Sequence, residues 1–138
     1  MINSRSFKDL LPVVAAKADA FVTACRAAGI EVLITSTYRD NESQNALFAQ
    51  GRTGPGKRVT NAKGGQSMHN HRVAFDFVPM VHGKPMWDDL SAFKRCGAIA
   101  VSLGLEWGGN WLSFKDMPHC QYTGGLTLAQ LQAGKVPK

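Results

Sequence analysis

The chain has 138 residues, of which 44% are hydrophobic and 19% charged, an ordinary globular composition that makes one domain over residues 1–138 the expected organisation. No apolar run is long enough to span a bilayer, and three cysteines without a CxxC pair indicate neither a disulfide framework nor a cysteine-based zinc site. The net charge of +6 favours an anionic partner, such as nucleic acid, acidic lipid or a cell-envelope polymer, without choosing among them.

The first part of the chain predicts a helix followed by a strand. Apolar residues recur at spacings of three and four over residues 7–28, with Ser6 as a cap and Gly29 as a stop. The β-branched run over residues 30–36 then predicts the first strand.

A second helix and a long loop come next. The helix is predicted from a cap at Asp40 or Asn41 to Gln50. We expect its inward-facing side chains to be Ala46, Leu47 and Ala49. Residues 52–66 carry glycines, a proline and several cations without periodicity, which predicts a basic loop. A loop of this length in a compact domain is usually functional or mobile.

Residues 73–78 alternate as a strand does. Asp76 therefore shares a face with Ala74, whose small side chain leaves room beside it. His69 lies seven residues before Asp76, an odd offset that would place the two on opposite faces of one straight strand. We therefore expect His69 in a turn before the strand, with the chain bending over residues 70–72.

The rest of the chain completes an α+β domain with a small antiparallel sheet flanked by helices. The remaining predicted elements are a hairpin tip at 82–84, a helix from an Asp88 cap to Leu103, strands at 105–107 and 119–122, a short helix over 127–132 and a frayed tail over 135–138. The inner side of the third helix is predicted to carry Leu90, Phe93, Cys96, Gly97, Ala100 and Val101.

Four residues suggest a hydrolytic metal site. We interpret His69, Asp76 and His119 as the ligands of one zinc ion, because zinc accepts imidazole nitrogen and carboxylate oxygen. Three protein ligands leave one position for water, which is typical of catalytic rather than structural zinc. Asp116 lies three residues before His119, with Pro118 restricting the backbone between them, so it is placed to act as the base.

The motifs around these residues resemble the zinc D,D-carboxypeptidase and L-alanyl-D-glutamate endopeptidase family, which includes VanY-like vancomycin-resistance peptidases, bacterial wall hydrolases and phage endolysins. The resemblance runs from about residue 30 to the end of the chain, in matching order. It rests on Ser67-x-His69 with Asp76, Ser36-x-Tyr38-Arg39 with Gln44, Leu47, Phe48 and Gly51, Val59-Thr60-Asn61-Ala62, Glu106-Trp107-Gly108-Gly109-x-Trp111, and Phe114-Lys115-Asp116-x-Pro118-His119.

This resemblance implies a hedgehog/D,D-peptidase-like zinc peptidase fold and a set of roles. Zinc would be bound by the three ligands named above, and Asp116 would be general base and acid. Arg39 would stabilise an oxyanion or hold a substrate carboxylate, and Ser67 and Gln44 would belong to the substrate pocket. The Trp-Gly-Gly and Phe-Lys-Asp motifs look most like those of phage endolysins that cut the L-Ala–D-Glu bond of peptidoglycan.

Partners and localisation follow from the same expectation. The substrate would be the peptide stem of peptidoglycan, with anionic cell-envelope polymers attracted to the basic loop, and the protein would be a monomer. Residues 1–6 lack the apolar core of a signal peptide, which predicts synthesis in the host cytoplasm and release to the wall by a holin-type route.

Three alternatives remain open at this point. A D,D-carboxypeptidase on the same scaffold would need a pocket closed around a free carboxylate. A zinc-bearing binding module without catalysis is disfavoured by the presence of Asp116. A nucleic-acid-binding protein is suggested only by charge, and the chain lacks the motifs of the known modules.

The sequence departs from the family pattern in two places. His71 and Arg72 stand where an aromatic residue and a glycine are usual, and we expect His71 at the pocket edge or facing solvent rather than on the metal. Cys120 stands where a larger apolar residue is usual, and a thiol beside a zinc ligand would be open to oxidation or adventitious metal binding. Cys25 and Cys96 are predicted to be core residues.

Overall fold

A five-stranded antiparallel sheet carries the central part of the chain, and the structure, a computed structural model, describes residues 1–138. The strands are β1 Glu31–Ser36, β2 Ala74–Val81, β3 Lys84–Pro85, β4 Glu106–Trp107 and β5 His119–Gln121. Their order is β1-β2-β5-β4, with β3 paired to the far end of β2, and every pairing is antiparallel. The predicted α+β class and the small antiparallel sheet are confirmed.

Helices flank this sheet, and two of them form the core with it. The helices are α1 Pro12–Ala27, α2 Asn41–Ala49, α3 Leu90–Ser102 and α4 Leu128–Gln132, with 3₁₀ turns at Phe7–Asp9, Met68–His71 and Gly108–Asn110. Phe21 of α1 packs against Phe75 and Phe77 of β2, with ring centroids 5.6 and 5.0 Å apart. Phe93 of α3 lies 5.5 Å from Phe77. These rings fix β2 against the two long helices.

The alternation predicted for β2 orients the site. Phe75 and Phe77 are fully buried in the core, while Asp76 between them points to the opposite face. The antiparallel register pairs Asp76 with Ser36 of β1 and with His119 of β5. A side chain on the middle strand therefore meets its neighbour from β5 directly.

The first helix begins later than predicted. Residues 7–9 form only a 3₁₀ turn, which Ser6 caps by accepting a hydrogen bond from the Lys8 amide at 3.2 Å. The chain is extended at Leu11, and the α-helix begins at Pro12. Proline disfavours helical backbone at the residue before it and lacks the N–H that an interior position needs. The apolar spacing alone could not show this interruption.

The second helix has the predicted cap but a different inner face. Asp40 caps it by accepting from the Ser43 amide at 2.8 Å. The residues it buries are Ser43 and Gln44, whereas Ala46 is exposed, so the prediction that Ala46 faces inward is wrong. The reason is that this helix packs on polar loop segments: Gln44 donates a hydrogen bond to the Ala62 carbonyl at 2.8 Å.

The third helix and the tail also differ in detail. Asp89, not Asp88, caps α3, accepting from the Ala92 amide at 3.1 Å. Leu90 and Val101 are 55% and 47% exposed, so their predicted inward orientation is wrong. Leu90 opens the helix, and Val101 lies one step of about 100° around the axis from the buried Ala100.

The C-terminal residues are held in place rather than frayed. Pro137 is buried and packs beside Gly124. The Tyr122 hydroxyl donates a hydrogen bond to the Lys138 carbonyl at 2.9 Å. The prediction of a frayed tail over 135–138 is therefore wrong.

Several other predictions are confirmed. The hairpin tip carries His82 and Gly83 at φ 50° and 76°, the paired positive φ values of a type I′ turn. The segment over 52–66 contains no helix or strand. All three cysteines are free, with Cys25 and Cys96 in the core. No helix combines the length and the apolar character that crossing a bilayer requires.

Candidate metal centre and active site

Three of the predicted residues come together at one end of the sheet. His69 comes from the 3₁₀ turn before β2, Asp76 from β2 and His119 from the first position of β5. Asp76 Oδ1 lies 3.2 Å from His69 Nε2 and 3.4 Å from His119 Nδ1. One ligating atom from each residue lies within 4.8 Å of the other two. This is the spacing at which three side chains can share one metal ion.

The turn that carries His69 is built by local hydrogen bonds. Ser67 Oγ accepts from the His69 amide at 3.2 Å, and Asn70 Oδ1 accepts from the Ser67 amide at 3.0 Å. The Asn70 amide group donates to the Arg39 carbonyl at 2.9 Å, which ties the turn to the end of β1. Arg72 has a left-handed backbone, φ 62°, and this reverses the chain into β2. The predicted turn and bend are confirmed.

The second nitrogen of each imidazole has its own acceptor. His69 Nδ1 lies 2.8 Å from the Thr37 carbonyl, and His119 Nε2 lies 2.7 Å from Gln121 Oε1. Both partners are oxygens that only accept, so each of these nitrogens carries the proton. In the neutral imidazoles, the lone pairs therefore lie on His69 Nε2 and His119 Nδ1, the nitrogens nearest Asp76. Two imidazole lone pairs and one carboxylate oxygen form a donor set that fits a zinc ion.

The charges in this cluster favour an ionised Asp76. Burial alone raises the pKa of Asp76. When His119 and His69 are protonated on the nitrogens that face Asp76, their hydrogen bonds outweigh burial and hold the Asp76 pKa far below its usual range. Burial lowers the pKa of His119, yet the hydrogen bond to Asp76 outweighs this and the net pKa is raised. An ionised carboxylate at the centre of the cluster is the form that binds a cation.

Asp116 stands beside the cluster without joining it. Its Oδ2 lies 3.9 Å from His119 Nδ1, and its side chain is 49% exposed. The Asp116 amide donates to the Gly108 carbonyl at 3.0 Å, and a Cβ at Gly108 would overlap the Asp116 backbone. Trp107 Nε1 donates to the Met117 carbonyl at 2.7 Å. The Trp-Gly-Gly segment thus sets the position of Asp116. Burial raises the pKa of the Asp116 carboxyl.

A cavity of about 610 Å³ opens over these groups. Asp76, His69, His119 and Asp116 all line it, so the cluster faces a space large enough for a peptide substrate. The cavity is also lined by Arg39, Val59, Thr60, Ala62, Ser67 and Trp111.

Arg39 lines the cavity, and Gln44 lies behind it. The Arg39 guanidinium donates to Gln44 Oε1 at 2.9 Å and to Ser36 Oγ at 3.2 Å. Its Nε is buried and has no partner in the protein. Gln44 is 1% exposed and does not line the cavity, so the structure gives it the role of holding Arg39 rather than a place on the pocket wall.

The two departures from the family pattern have separate outcomes. His71 Nε2 lies 2.8 Å from the Gly65 carbonyl and is outside the metal cluster, which agrees with the prediction. The Cys120 side chain belongs to the hydrophobic core, and burial raises the pKa of its thiol. The expectation that Cys120 is open to oxidation or to metal is therefore wrong, because β5 turns it to the face opposite His119.

Sequence reasoning missed one group of polar residues at the site. Gln121 and Glu106 form hydrogen bonds behind His119, and neither was singled out for such a role. The available signal was the period of two along β5, which places Gln121 on the same face as His119. The partner on β4 depends on strand register, which no local pattern reveals.

Comparison with known proteins identifies the family. A family model described as D-alanyl-D-alanine carboxypeptidase, of the M15 peptidases, matches residues 60–122. The peptidoglycan L-alanyl-D-glutamate endopeptidase CwlK of Bacillus subtilis is 41% identical over 122 residues, covering 82% of this chain and 73% of that protein. The chain belongs to the M15 peptidase family. An L-alanyl-D-glutamate peptidase of a Listeria phage is 38% identical over 102 residues, and this M15 peptidase spans only 31% of it.

Solved structures show the same fold. The L-Ala D-Glu endopeptidase ChiX of Serratia marcescens superposes with a TM-score of 0.63 at 21% identity, over 88% of this chain and 89% of that one. A vancomycin-resistance D,D-pentapeptidase in complex with Zn(II) superposes with a TM-score of 0.63 at 15% identity, over 90% and 78%. The predicted D,D-peptidase-like fold of this M15 peptidase is confirmed.

Proposed function

We propose that this M15 peptidase is a zinc endopeptidase that cleaves the L-Ala–D-Glu bond in the peptide stem of peptidoglycan. The observation that carries the proposal is the convergence of His69, Asp76 and His119 within 4.8 Å on the floor of a cavity that Asp116 also lines. Kinship with curated L-alanyl-D-glutamate peptidases supports the choice of bond.

The metal ligands and the base have distinct tasks. His69, Asp76 and His119 would hold the zinc ion, which supplies Lewis acidity towards the scissile carbonyl and the attacking water. Asp116 accepts the proton of that water and passes it to the leaving amine. Its half-exposed carboxylate is free for this work, because it makes no hydrogen bond that would hold its oxygens.

Arg39 has a guanidinium donor that no protein group satisfies, and this donor is available to the substrate. Its guanidinium uses two nitrogens on Gln44 and Ser36, while the buried Nε has no partner in the protein. An unpaired buried donor is costly unless a ligand completes it. We assign Arg39 to the substrate oxyanion or a substrate carboxylate, and Ser67 on the cavity wall to substrate binding.

The shape of the cleft favours an endopeptidase over a carboxypeptidase. A second cavity of about 680 Å³, which Phe114 and Lys115 line, shares Val59, Trp111 and Asp116 with the first. A peptide that extends on both sides of the scissile bond would occupy both adjoining cavities. A carboxypeptidase would need a pocket closed around a terminal carboxylate.

The phage relative supports a lytic role. We assign the protein to phage or prophage wall degradation, with release from the host cytoplasm by a holin-type route and activity as a monomer. The net charge of +6 supports an attraction to anionic envelope polymers.

Mass spectrometry of the fragments released from purified sacculi tests the assignment. Glycan bearing L-Ala, produced only without chelator and restored by added zinc, is the expected result. Release of free D-Ala would instead identify a carboxypeptidase. Undiminished hydrolysis after complete metal removal would contradict the metal-dependent mechanism.

A further inference from the structure

A chain of hydrogen bonds runs from His119 to the surface through two strands. His119 Nε2 donates to Gln121 Oε1 at 2.7 Å, and Gln121 Nε2 donates to Glu106 Oε2 at 3.1 Å. Thr123 Oγ1 donates to the other Glu106 oxygen at 3.3 Å. His119, Gln121 and Thr123 are each no more than 6% exposed. The metal cluster does not include Gln121 or Glu106, yet one of its ligands depends on them.

The sheet sets the geometry of this chain. Gln121 lies two residues after His119 on β5, so both side chains point to one face. Glu106 is paired with Gln121 in the antiparallel register between β4 and β5. Side chains that face each other in this way have Cβ atoms about 5 Å apart, within reach of a carboxylate and an amide.

The order of donors and acceptors is determined by the Glu106 end. A carboxylate only accepts, so the Gln121 amide must turn its NH₂ towards Glu106 and its oxygen towards His119. That oxygen also only accepts, so it favours the tautomer with the proton on His119 Nε2 and the lone pair on His119 Nδ1, where the metal would bind. Reversing the Gln121 amide would present a donor to Nε2 and favour the opposite tautomer.

We propose that Glu106 is a positioning residue that acts through Gln121 to hold His119 in the tautomer that binds metal. The proposal deepens the proposed function and rests on His119 being a ligand of the catalytic metal. His69 differs, because its Nδ1 donates to the backbone carbonyl of Thr37, which no side-chain substitution removes. Only one of the two histidine ligands is therefore under side-chain control.

The test is Glu106→Gln, an isosteric change at an exposed residue. A glutamine offers both a donor and an acceptor to Gln121, so the amide is no longer held in one orientation. We expect zinc affinity, measured by competition with a chelator, to fall about tenfold, the lower end of the effect usual for residues that orient a metal ligand. Glu31→Gln makes the same charge change at another exposed strand position and is the matched control.

A rescue variant separates orientation from packing. Combining Gln121→Glu with Glu106→Gln keeps an acceptor-only group next to His119 Nε2 and places the donor at position 106. The hydrogen bond from His119 keeps its direction, whereas the one between positions 106 and 121 is reversed. We expect this double variant to recover most of the lost zinc affinity. A merely structural role for Glu106 predicts no such recovery.

A second readout requires no metal. ¹⁵N NMR of the apo protein, at a pH where His119 is neutral, should show a larger share of the Nε2–H tautomer in the wild type than in Glu106→Gln. The Asp76 carboxylate, 3.4 Å from Nδ1, favours the opposite tautomer in both proteins. The proposal would be overturned if Glu106→Gln had the same tautomer as the wild type and bound zinc as tightly as the Glu31→Gln control. A wild type that binds no zinc would count against the proposed function instead, since the apo tautomer is measured independently.

Discussion

Asp76 and Asp116 both lie close to His119, and their surroundings shift their pKa values in opposite directions. Asp76 is tied to both imidazoles at 3.2 and 3.4 Å, and these bonds lower its pKa despite burial. Asp116 is 3.9 Å from His119 and half-exposed, and burial raises its pKa. A carboxylate locked in the ionised form suits a ligand, and one closer to exchanging its proton suits a base.

Replacing the base should separate hydrolysis from metal binding. Asp116→Ala removes the group proposed to accept the proton of the attacking water, so we expect turnover of a stem peptide to fall by about 10²–10⁴-fold. Zinc content should stay at one equivalent, since the three ligands are unchanged. Rate assays with elemental analysis check both, with exposed Asp19→Ala as control. Unchanged turnover would refute the role given to Asp116.

Arg39 tests whether geometry or charge is needed in the cavity. Arg39→Lys keeps the positive charge but loses the planar fork that contacts Gln44 and Ser36. We expect kcat/KM to fall about 10²-fold, comparable to the loss of one oxyanion donor. The control is Arg26→Lys, where a surface pair with Glu31 should tolerate the change. Equal activity of the two variants would reduce Arg39 to a structural role.

The sequence predicts residues at the site better than it predicts their supports. His69, Asp76 and His119 could be found because imidazole and carboxylate are characteristic of zinc chemistry and stand in a recognisable order. The family resemblance predicts Gln44 in the substrate pocket, whereas in the structure Gln44 accepts a hydrogen bond from Arg39 behind the cavity wall. Glu106 was missed because its contact depends on the pairing of β4 with β5, which is a long-range property.

At the scale of elements, the close approach of α3 to β4 depends on Gly97. A Cβ at this position would lie 2.2 Å from the Trp107 ring. Helix propensity alone predicts that Gly97→Ala stabilises the protein by about 1 kcal/mol. We expect the opposite sign, a loss of about 1–3 kcal/mol, because overpacking displaces the ring. Urea unfolding measures it, and the loss should shrink in a Trp107→Leu background. Stabilisation in the wild-type background would contradict this packing.

The cap of α2 should make stability depend on pH. The Ser43 amide, followed by the Ile2 amide, donates to the Asp40 carboxylate and lowers its pKa below the ordinary 3.8. A depressed folded-state pKa means that the contribution is complete above the unfolded pKa and is lost as pH falls through the folded value.

Asp40→Asn should therefore flatten the acid limb of the stability curve. We expect urea midpoints of the wild type to fall more between pH 5 and pH 2.5 than those of the variant. Asp88→Asn is the control, because Asp88 is exposed and does not cap α3. Parallel curves for Asp40→Asn and the wild type would exclude a contribution from this cap.

Element boundaries were predictable where one residue decides them. Asp40, one of the two predicted caps, caps α2, and Thr127, the predicted first residue of the last helix, caps α4; each side chain accepts a nearby amide. The first helix was predicted to start too early, because apolar spacing does not take account of the proline at position 12, where the α-helix begins. The inner face of α2 was missed because this helix packs on a polar loop, whereas apolar spacing indicates only contacts with a hydrophobic core.

For the whole molecule, the basic loop and the cleft form one surface. Val59, Thr60 and Ala62 of the loop line the cavity, and Lys57, Arg58 and Lys63 adjoin them in the chain. Lys57 and Arg58 are exposed, and neither has a carboxylate within ion-pair distance. We therefore expect these charges to attract an anionic polymer towards the site without contacting the scissile bond.

Attachment to the wall should therefore be far more sensitive to salt than the chemistry is. The Debye length falls from about 10 Å at 0.1 M salt to about 3 Å at 1 M, so binding to intact sacculi should weaken steeply over this range. Hydrolysis of a short soluble stem peptide should change little. The loop variant replaces three cations by glutamine: Lys57, Arg58 and Lys63.

A control with the same change in net charge replaces three exposed lysines elsewhere: Lys8, Lys84 and Lys135. If attraction is local to the cleft, only the loop variant loses most of the salt-sensitive binding; equal losses would show that net charge alone is responsible.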